Sequence, residues 1–246
     1  MIKKKLYILI LLISINSFSQ KNEIGIFIGG TNYIGDVGPT RYIDPGRYDG
    51  EKVEFGTKNS AFGVFYRKNF NNRIAARVNF NYANIGSNDN WTGSASYRKE
   101  RGKSFKNKIS AEFGLGIDFN FFEFNLTEDS FQMTPYIHTG IVYLRHNALH
   151  YPNGINVARK YGETSSLAVP ITIGYKIKPL RDLIVGFEIS AKHTFTDNLD
   201  GSYPRYEEME IYSQKAFGSN LSQDWYVFTG LTLSYIFGFE PCYCPN

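Results

Sequence analysis

The chain contains 246 residues with a formal net charge of +4. Three N-terminal lysines, Lys3, Lys4 and Lys5, supply most of this charge, and without them it is +1. So nearly neutral a chain gives no electrostatic reason to expect a nucleic-acid partner. The two cysteines, Cys242 and Cys244, are too few and too close together for a disulfide framework or a four-ligand zinc site. Aromatic residues make up 16% of the chain, an excess that suits aromatic girdles at membrane interfaces.

The first 19 residues have the pattern of a secretory signal peptide. The three lysines precede an apolar segment, residues 6–15, that is too short to span a bilayer. Ser17 and Ser19 then provide the small residues of a cleavage site. We therefore predict a signal peptide over residues 1–19, with an uncleaved anchor as the alternative. No other segment reaches 18 uninterrupted apolar residues, so no transmembrane helix is expected.

Beyond this segment, apolar residues alternate with polar or small ones in eight separate stretches. In residues 183–195, for example, Val185 and Phe187 share one face, whereas Glu188 and Lys192 share the other. Such alternation is typical of strands with one apolar and one polar face. The predicted strands are residues 23–36, 60–70, 72–86, 106–122, 131–147, 165–178, 182–197 and 224–238.

The connections between these strands distinguish a membrane barrel from a soluble sandwich. Short turns are predicted at 69–73 and 176–182, a longer turn at 122–133, and long loops at 37–59, 87–105, 148–164 and 198–223. Outer-membrane barrels have short periplasmic turns and long extracellular loops, whereas a sandwich has no reason to alternate in this way. We predict an all-β fold, a single eight-stranded antiparallel transmembrane β-barrel of the outer-membrane type, over residues 20–238. The last eight residues, 239–246, would form a periplasmic tail.

Ionisable residues of both signs fall in the middle of the polar faces, namely Arg77, Glu112, Glu188 and Lys192. An eight-stranded barrel is just filled by its own side chains, and buried charge must be paired. We therefore predict that these four residues form a charge network that closes the lumen. Inward glycines, Gly114, Gly116 and Gly186, would leave room for them. The same alternation predicts that Lys108 shares the inward face of Glu112 and that Ile109 faces outward.

An enzyme is the main competing class of function, because some small outer-membrane barrels hydrolyse lipids. A hydrolytic site needs a nucleophile, a base and an orienting acid within reach of each other. The best local trio, Glu188, Ser190 and His193, fails because His193 lies on the opposite face of its strand. No nucleotide, metalloprotease or nucleophile-elbow motif occurs. We therefore expect no catalytic residue, cofactor, metal or small-molecule substrate.

One long loop contains a cluster of basic residues that could contact anionic lipid or simply be solvated. Its members are Arg98, Lys99, Arg101, Lys103 and Lys106.

Two segments carry a more specific signal than alternation. Residues 29–38 read GGTNYIGDVG, and residues 224–244 begin with DWY and end with PCYC. In combination these segments resemble the PorG family, the outer-membrane barrel of the type IX secretion system. Thr31, where a serine is expected, is a minor departure from the family pattern. The resemblance covers both ends of the predicted barrel and none of the loops between them.

The resemblance implies a non-enzymatic subunit that anchors the periplasmic ring of PorK and PorN to the outer membrane. It also implies a role in exporting cargo with C-terminal sorting domains, and in gliding motility where bacteria glide. The implied partners are the PorK/PorN ring subunits and outer-membrane lipid, with no nucleic acid. The alternative is a generic barrel of the OmpA-like class that stabilises the envelope or adheres through its loops. A lipid hydrolase is the third possibility and is disfavoured by strand parity.

The C-terminal tail is the most distinctive segment on the predicted periplasmic side. Pro241 and Pro245 restrict the chain, so less entropy is lost on docking. Tyr243 offers an aromatic anchor, and Cys242 and Cys244 are poorly placed to bond with each other. We predict that the tail residues Pro241, Cys242, Tyr243 and Cys244 dock a partner, and the alternative is a frayed terminus.

Overall fold

A computed structural model of the chain describes residues 22–45, 59–204, 213–219 and 222–238. The predicted signal peptide and the predicted C-terminal tail lie outside these residues. Eight strands lie within them, in the order β1 (Asn22–Ile34), β2 (Ser60–Asn69), β3 (Ile74–Asn88), β4 (Ser104–Asn120), β5 (Gln132–His150), β6 (Arg159–Leu180), β7 (Leu183–Thr194) and β8 (Trp225–Phe237).

The strands form one closed antiparallel barrel in which each strand pairs with its neighbours in sequence. The barrel closes between β1 and β8, where Asn22 lies opposite Phe237 and Ile34 lies opposite Trp225. Closure leaves no free edge where all eight strands pair, and a closed sheet is what crossing a lipid bilayer requires. The prediction of an eight-stranded antiparallel barrel is confirmed.

The two ends of the barrel differ as predicted. Three turns, residues 70–73, 121–131 and 181–182, lie at what we call the turn end, where both termini of the barrel also lie. At the opposite, loop end, the connections at 35–59, 89–103 and 195–224 are long, as predicted. The prediction of a long loop at 148–164 is wrong, because strand pairing between β5 and β6 continues into it and leaves a connection of residues 151–158 only. β5 and β6 extend further than predicted, to 19 and 22 residues. Since about 9–11 residues suffice to cross a bilayer, this hairpin projects well beyond the loop end.

One loop contains a short helix, α1 (Ser96–Arg101), where the sequence predicted only loop. The helix ends at Gly102, whose left-handed φ of 66° lets its backbone N–H bond to the carbonyl of Arg98. It buries none of its residues. Within the described ranges, no helix has the length and apolar character needed to cross a membrane.

The outer surface of the barrel carries the apolar band expected of a membrane-facing sheet. On β4, Phe113, Leu115 and Ile117 are each at least half exposed. Their neighbours along the strand, such as Glu112 and Asp118, are buried inside. β7 behaves in the same way, with Phe187 outside and Glu188 inside, so its predicted faces are confirmed.

β4 contains a β-bulge that the alternation did not predict. Asn81 of β3 lies opposite Glu112, but Ala83, two residues later, lies opposite Ile109, three residues away. The extra residue reverses the alternation on the loop side of the bulge. The prediction that Ile109 faces outward and Lys108 inward is therefore wrong. Ile109 is fully buried, and Lys108 is exposed on the outer surface.

Candidate functional site

Ion pairs between inward-facing side chains fill the centre of the lumen. Arg77 of β3 reaches across to Glu188 of β7, with Nη1 and Nη2 lying 2.5 and 3.2 Å from the two carboxylate oxygens. Tyr136 donates its hydroxyl to the same carboxylate. Arg77 also donates from Nε to Asn79 Oδ1 at 2.5 Å. The two predicted charges of opposite sign thus form one bidentate, hydrogen-bonded pair.

The other two predicted residues form a second pair nearer the loop end. Lys192 Nζ lies 2.5 Å from Glu112 Oε1. Asn81 and Tyr226 donate to the two oxygens of Glu112, each at 2.6 Å. The ammonium group also lies 3.6 Å from the centre of the Phe228 ring, a cation–π contact. All four residues of the predicted network therefore lie in the lumen, where the structure pairs Arg77 with Glu188 and Lys192 with Glu112.

A third cluster near the turn end was missed in the sequence. Arg67 of β2 joins two carboxylates, with Nη1 2.5 Å from Glu23 Oε2 and Nε 2.6 Å from Asp118 Oδ2. Asp118 also bonds to His138 Nδ1 at 2.6 Å. Asp118 already stood on the polar face of its predicted strand. Strand parity also places Arg67 inside, whereas Glu23 is the first residue of its predicted strand, where alternation does not define a face.

Lys176 is the unusual member of this third cluster. It is 1% exposed, and its Nζ has no hydrogen-bond partner. The ammonium group lies 4.7 Å from the centre of the Phe124 ring and 5.3 Å from that of Tyr136. Aromatic faces replace part of its lost hydration, while Glu23 supplies electrostatic compensation nearby.

The turn end of the lumen is closed by the turn at residues 121–131. Phe124 and Leu126 fold back over the opening and pack against Ile184 and Ile236, and all four side chains are at most 4% exposed. Lys178 holds this turn in place by donating to the carbonyl of Leu126 at 3.1 Å. The turn predicted at 122–133 is therefore a cover over the lumen as well as a connection.

The loop end is closed by an apolar core rather than by charge. Inward side chains of the strands meet loop residues there, and they include Phe27, Ile85, Ile109, Leu144 and Phe228 with Val37, Tyr151 and Leu199. The bulge in β4 contributes to this core because it turns Ile109 inward. The lumen therefore combines ionic layers from the turn end through its centre with a hydrophobic core at the loop end.

The two segments that resemble a known family meet at this closed end. Tyr33 of β1 lies opposite Tyr226 in the seam with β8, and its hydroxyl donates to Asp224. The other oxygen of Asp224 accepts from the backbone N–H of Leu199 at 2.8 Å. These contacts join the first strand, the last strand and the loop between β7 and β8. The motif residues at this point hold the barrel seam closed.

Four aspartates gather in the loops above this seam, and we call them the acidic loop cluster: Asp36, Asp197, Asp200 and Asp224. Burial, followed by the charge of Asp200, raises the pKa of Asp224 well above its usual value. Burial also raises the pKa of Asp200 to about 6. The pKa of Asp197 rises to about 6 through burial and the charges of Asp36 and Asp200. The fold therefore raises the pH at which these carboxyl groups lose their protons.

We expect the acidic loop cluster to make the stability of the folded protein depend on pH. Because these folded-state pKa values exceed the unfolded values, the folded state binds more protons, and its stability falls as pH rises from about 4 to about 6. We expect Asp200→Asn to gain stability over the wild type across this window, reaching about 1–3 kcal/mol above it. Denaturant unfolding at several pH values, followed by tryptophan fluorescence, measures the difference. The exposed Asp129→Asn is the control. A gain for Asp200→Asn that does not change with pH would contradict the argument.

The lumen also brings together groups that a hydrolase would use. Asp118 and His138 form a carboxylate–imidazole pair, and the hydroxyls of Thr172 and Ser190 line the same cavity as His138. This cavity measures only about 20 Å³, which is room for roughly one water molecule. Any substrate would have to pass the covers at both ends. His193 faces outward against Trp225, with ring centres 4.7 Å apart, away from Glu188 and Ser190.

The loop cluster of basic residues is divided between different environments. Arg101 pairs with the buried Asp89, with Nε 2.8 Å from Oδ2, and Lys103 is 4% exposed beneath it. Lys99 and Lys106 are exposed. In the described part of the chain, no group of three or more histidine, cysteine, aspartate or glutamate side chains is arranged to hold a metal ion. The predicted docking residues Pro241, Cys242, Tyr243 and Cys244 lie outside that part.

The barrel is similar to solved outer-membrane barrels. Ail of Yersinia pestis, solved with the heparin analogue sucrose octasulfate, is 12% identical, with 89% of this chain and 100% of Ail covered and a TM-score of 0.44. The N-terminal barrel domain of Pseudomonas aeruginosa OprF is 10% identical, with coverage of 88% and 97% and a TM-score of 0.42. Neisserial surface protein A is 6% identical, with coverage of 89% and 97% and a TM-score of 0.42.

These likenesses concern the barrel and do not bear on what this chain does. No curated protein matches it. A family model does match, over residues 3–246, which is nearly the whole chain. The chain therefore belongs to the family described as a domain of unknown function, DUF6089.

Proposed function

We propose that this protein is a non-enzymatic barrel of the outer membrane that anchors the periplasmic PorK/PorN ring of a type IX secretion system. In this role it supports the export of cargo and, in gliding bacteria, motility. The observation that carries the proposal is the closed lumen. A barrel whose interior is filled has no transport path or substrate site there, so its function lies at its ends or on its outer surface.

The outer surface supports the membrane location. The apolar band of β4 and β7 is the lipid-facing kind, and a closed barrel satisfies every strand edge without water. In the proposed orientation the turn end faces the periplasm and the loop end faces outside, as in other barrels of this type. The predicted signal peptide at residues 1–19 would supply the export that this location requires.

The turn end offers a surface for a periplasmic partner. Phe122 and Phe131 of the cover turn are 62% and 64% exposed, whereas Phe124 and Leu126 between them pack over the lumen. Exposed aromatic side chains on a fixed turn lose little entropy on docking. Glu123, with its side chain 69% exposed, adds a charged rim. β8 ends at this same end, and the proposed docking residues 241–246 follow it in sequence.

The test has two parts that use the full-length protein in its own cells. The first part deletes the gene and measures secretion of cargo with sorting domains. The second part deletes residues 241–246, or changes Phe122→Ser with Phe131→Ser, and measures co-purification of the ring subunits. We expect loss of secretion in the first part. In the second, at least one of the two variants should lose the ring while still assembling as a barrel.

The matched control is Tyr97→Ser, which removes an aromatic side chain that is 63% exposed on α1 at the opposite end. This variant should retain the ring and secrete normally. Normal secretion after deletion of the gene would reject the secretion role and favour the envelope-stabilising alternative. Secretion that fails while both end variants keep the ring would mean that the contact lies elsewhere on the barrel.

A further inference from the structure

A groove opens beside the two exposed lysines on the outer surface of the barrel. It measures about 690 Å³ and is lined by the paired loop ends of β3 and β4 together with loop residues, with Asn84, Trp91, Lys106, Lys108 and Val157 among its lining residues. This volume is within the range of sites that hold small molecules. The groove is distinct from the sealed lumen.

The β-bulge in β4 determines what the groove contains. Without the extra residue, Lys106 and Lys108 would share the inward face of Glu112. With the extra residue they point outward, while Asn107 between them and Ile109 beside them turn inward. Bulges commonly re-aim side chains near functional sites. Here one bulge both completes the apolar core and places two ammonium groups on the outside.

The two lysines have no acidic salt-bridge partner among the described residues and are open to an external ligand. Lys108 Nζ lies 5.1 Å from the centre of the Tyr82 ring, which holds the side chain over the sheet. On the next strand, Arg145 also faces outward and pairs with Glu163 at 2.8 Å. The patch is therefore net positive.

The level of the groove along the barrel indicates its ligand. Below it on the outer surface lie the aromatic residues Tyr82, Phe113 and Tyr143, followed by the aliphatic band. Aromatic side chains of this kind mark the boundary between hydrocarbon and headgroups. Lys106 and Lys108 stand just above this boundary, where the phosphate groups of lipid headgroups lie.

We propose that this groove binds the phosphorylated sugar headgroup of an outer-leaflet glycolipid. Lys106 and Lys108 would bind phosphate as point charges. The amide of Asn84 can hydrogen-bond to sugar hydroxyls, and the ring of Trp91 offers a flat apolar surface to a sugar face. The proposal rests on the outer-membrane location in the proposed function, but it does not require the secretion role.

The experiment compares the retention of lipids by the purified full-length barrel in phosphatidylcholine nanodiscs. The probes are bisphosphorylated lipid A, dephosphorylated lipid A, phosphatidylglycerol and inorganic phosphate. The test variant is Lys106→Gln with Lys108→Gln. Its control is Lys99→Gln with Lys215→Gln, which makes the same charge change at two exposed lysines outside the groove. Heat-dependent migration in detergent gels verifies that each variant is folded.

We expect the wild type and the control to bind bisphosphorylated lipid A, and the test variant to bind it at least about tenfold more weakly. Dephosphorylated lipid A should bind weakly to all of them. Equal binding by test and control variants would overturn the proposal. So would phosphatidylglycerol binding as tightly as lipid A, because the surface would then select charge alone. Displacement of lipid A by inorganic phosphate at a concentration similar to that of the lipid would also overturn the proposal, because the site would then bind simple anions without selecting the headgroup. A loss of secretion is not among these readouts, so the two proposals fail separately.

Discussion

Replacing Arg67 with alanine is expected to destabilise the barrel by about 3–5 kcal/mol, because two buried carboxylates lose their shared cation. Glu23 and Asp118 are each at most 1% exposed. After the substitution Glu23 keeps its bond to Asn69 and Asp118 keeps its bond to His138, but neither retains an arginine. Lys176 stands near enough to Glu23 to offset part of the loss.

Denaturant unfolding of the purified barrel measures this effect, and Arg145→Ala is the matched control. Arg145 also makes a salt bridge, to Glu163 at 2.8 Å, but its side chain is 59% exposed. Exposed ion pairs contribute only about 0–1 kcal/mol. A loss of similar size in the two variants would contradict the view that the lumen cluster is buried and tightly paired.

Replacing Glu188 with alanine should have an effect of similar size, about 3–5 kcal/mol, for a different reason. The change leaves the buried guanidinium of Arg77 without a carboxylate, while its hydrogen bond to Asn79 remains. It also removes the acceptor of the Tyr136 hydroxyl. Glu188→Gln should lose less, because the amide oxygen can still accept a hydrogen bond.

A double variant separates the cost of a stranded charge from the value of the pair. Arg77→Met combined with Glu188→Leu removes both charges, and replacing a buried pair with apolar side chains is often neutral. We expect the double variant to recover much of the stability that Glu188→Ala loses in the same unfolding assay. If it is no more stable than the single variant, packing rather than unpaired charge would account for the loss.

Much of this architecture follows from local alternation. The period of two predicts that Glu188 and Lys192 face inward and Phe187 outward, and the structure places them so. Loop lengths predict which end carries the turns. Alternation also predicted the four charged residues of the central lumen, because a charged side chain in the middle of a barrel strand avoids the lipid-facing side and faces inward. Alternation does not predict which cation pairs with which carboxylate, since the pairing depends on strand order and tilt.

The features that sequence reasoning missed depend on events that alternation does not record. A single extra residue in β4 inverts the faces of Lys108 and Ile109, and nothing in the local sequence marks it. Arg67 has regular parity, but it and Glu23 lie near the ends of β2 and β1 rather than in mid-strand, so alternation alone does not mark them as lumen charges. The cover formed by Phe124 and Leu126 depends on a turn folding back over the barrel, which requires the whole sheet to exist first.

The lumen of this barrel is sealed, and the functions proposed for its ends and its outer surface depend on that seal. Planar-bilayer recording of the purified, folded protein tests this claim most directly. With ion pairs at the centre, a cover of Phe124 and Leu126 at one end and an apolar core at the other, we predict no steady conductance in the wild type. A steady, large conductance from protein that still shows heat-dependent migration would contradict the sealed lumen and the account of function built on it.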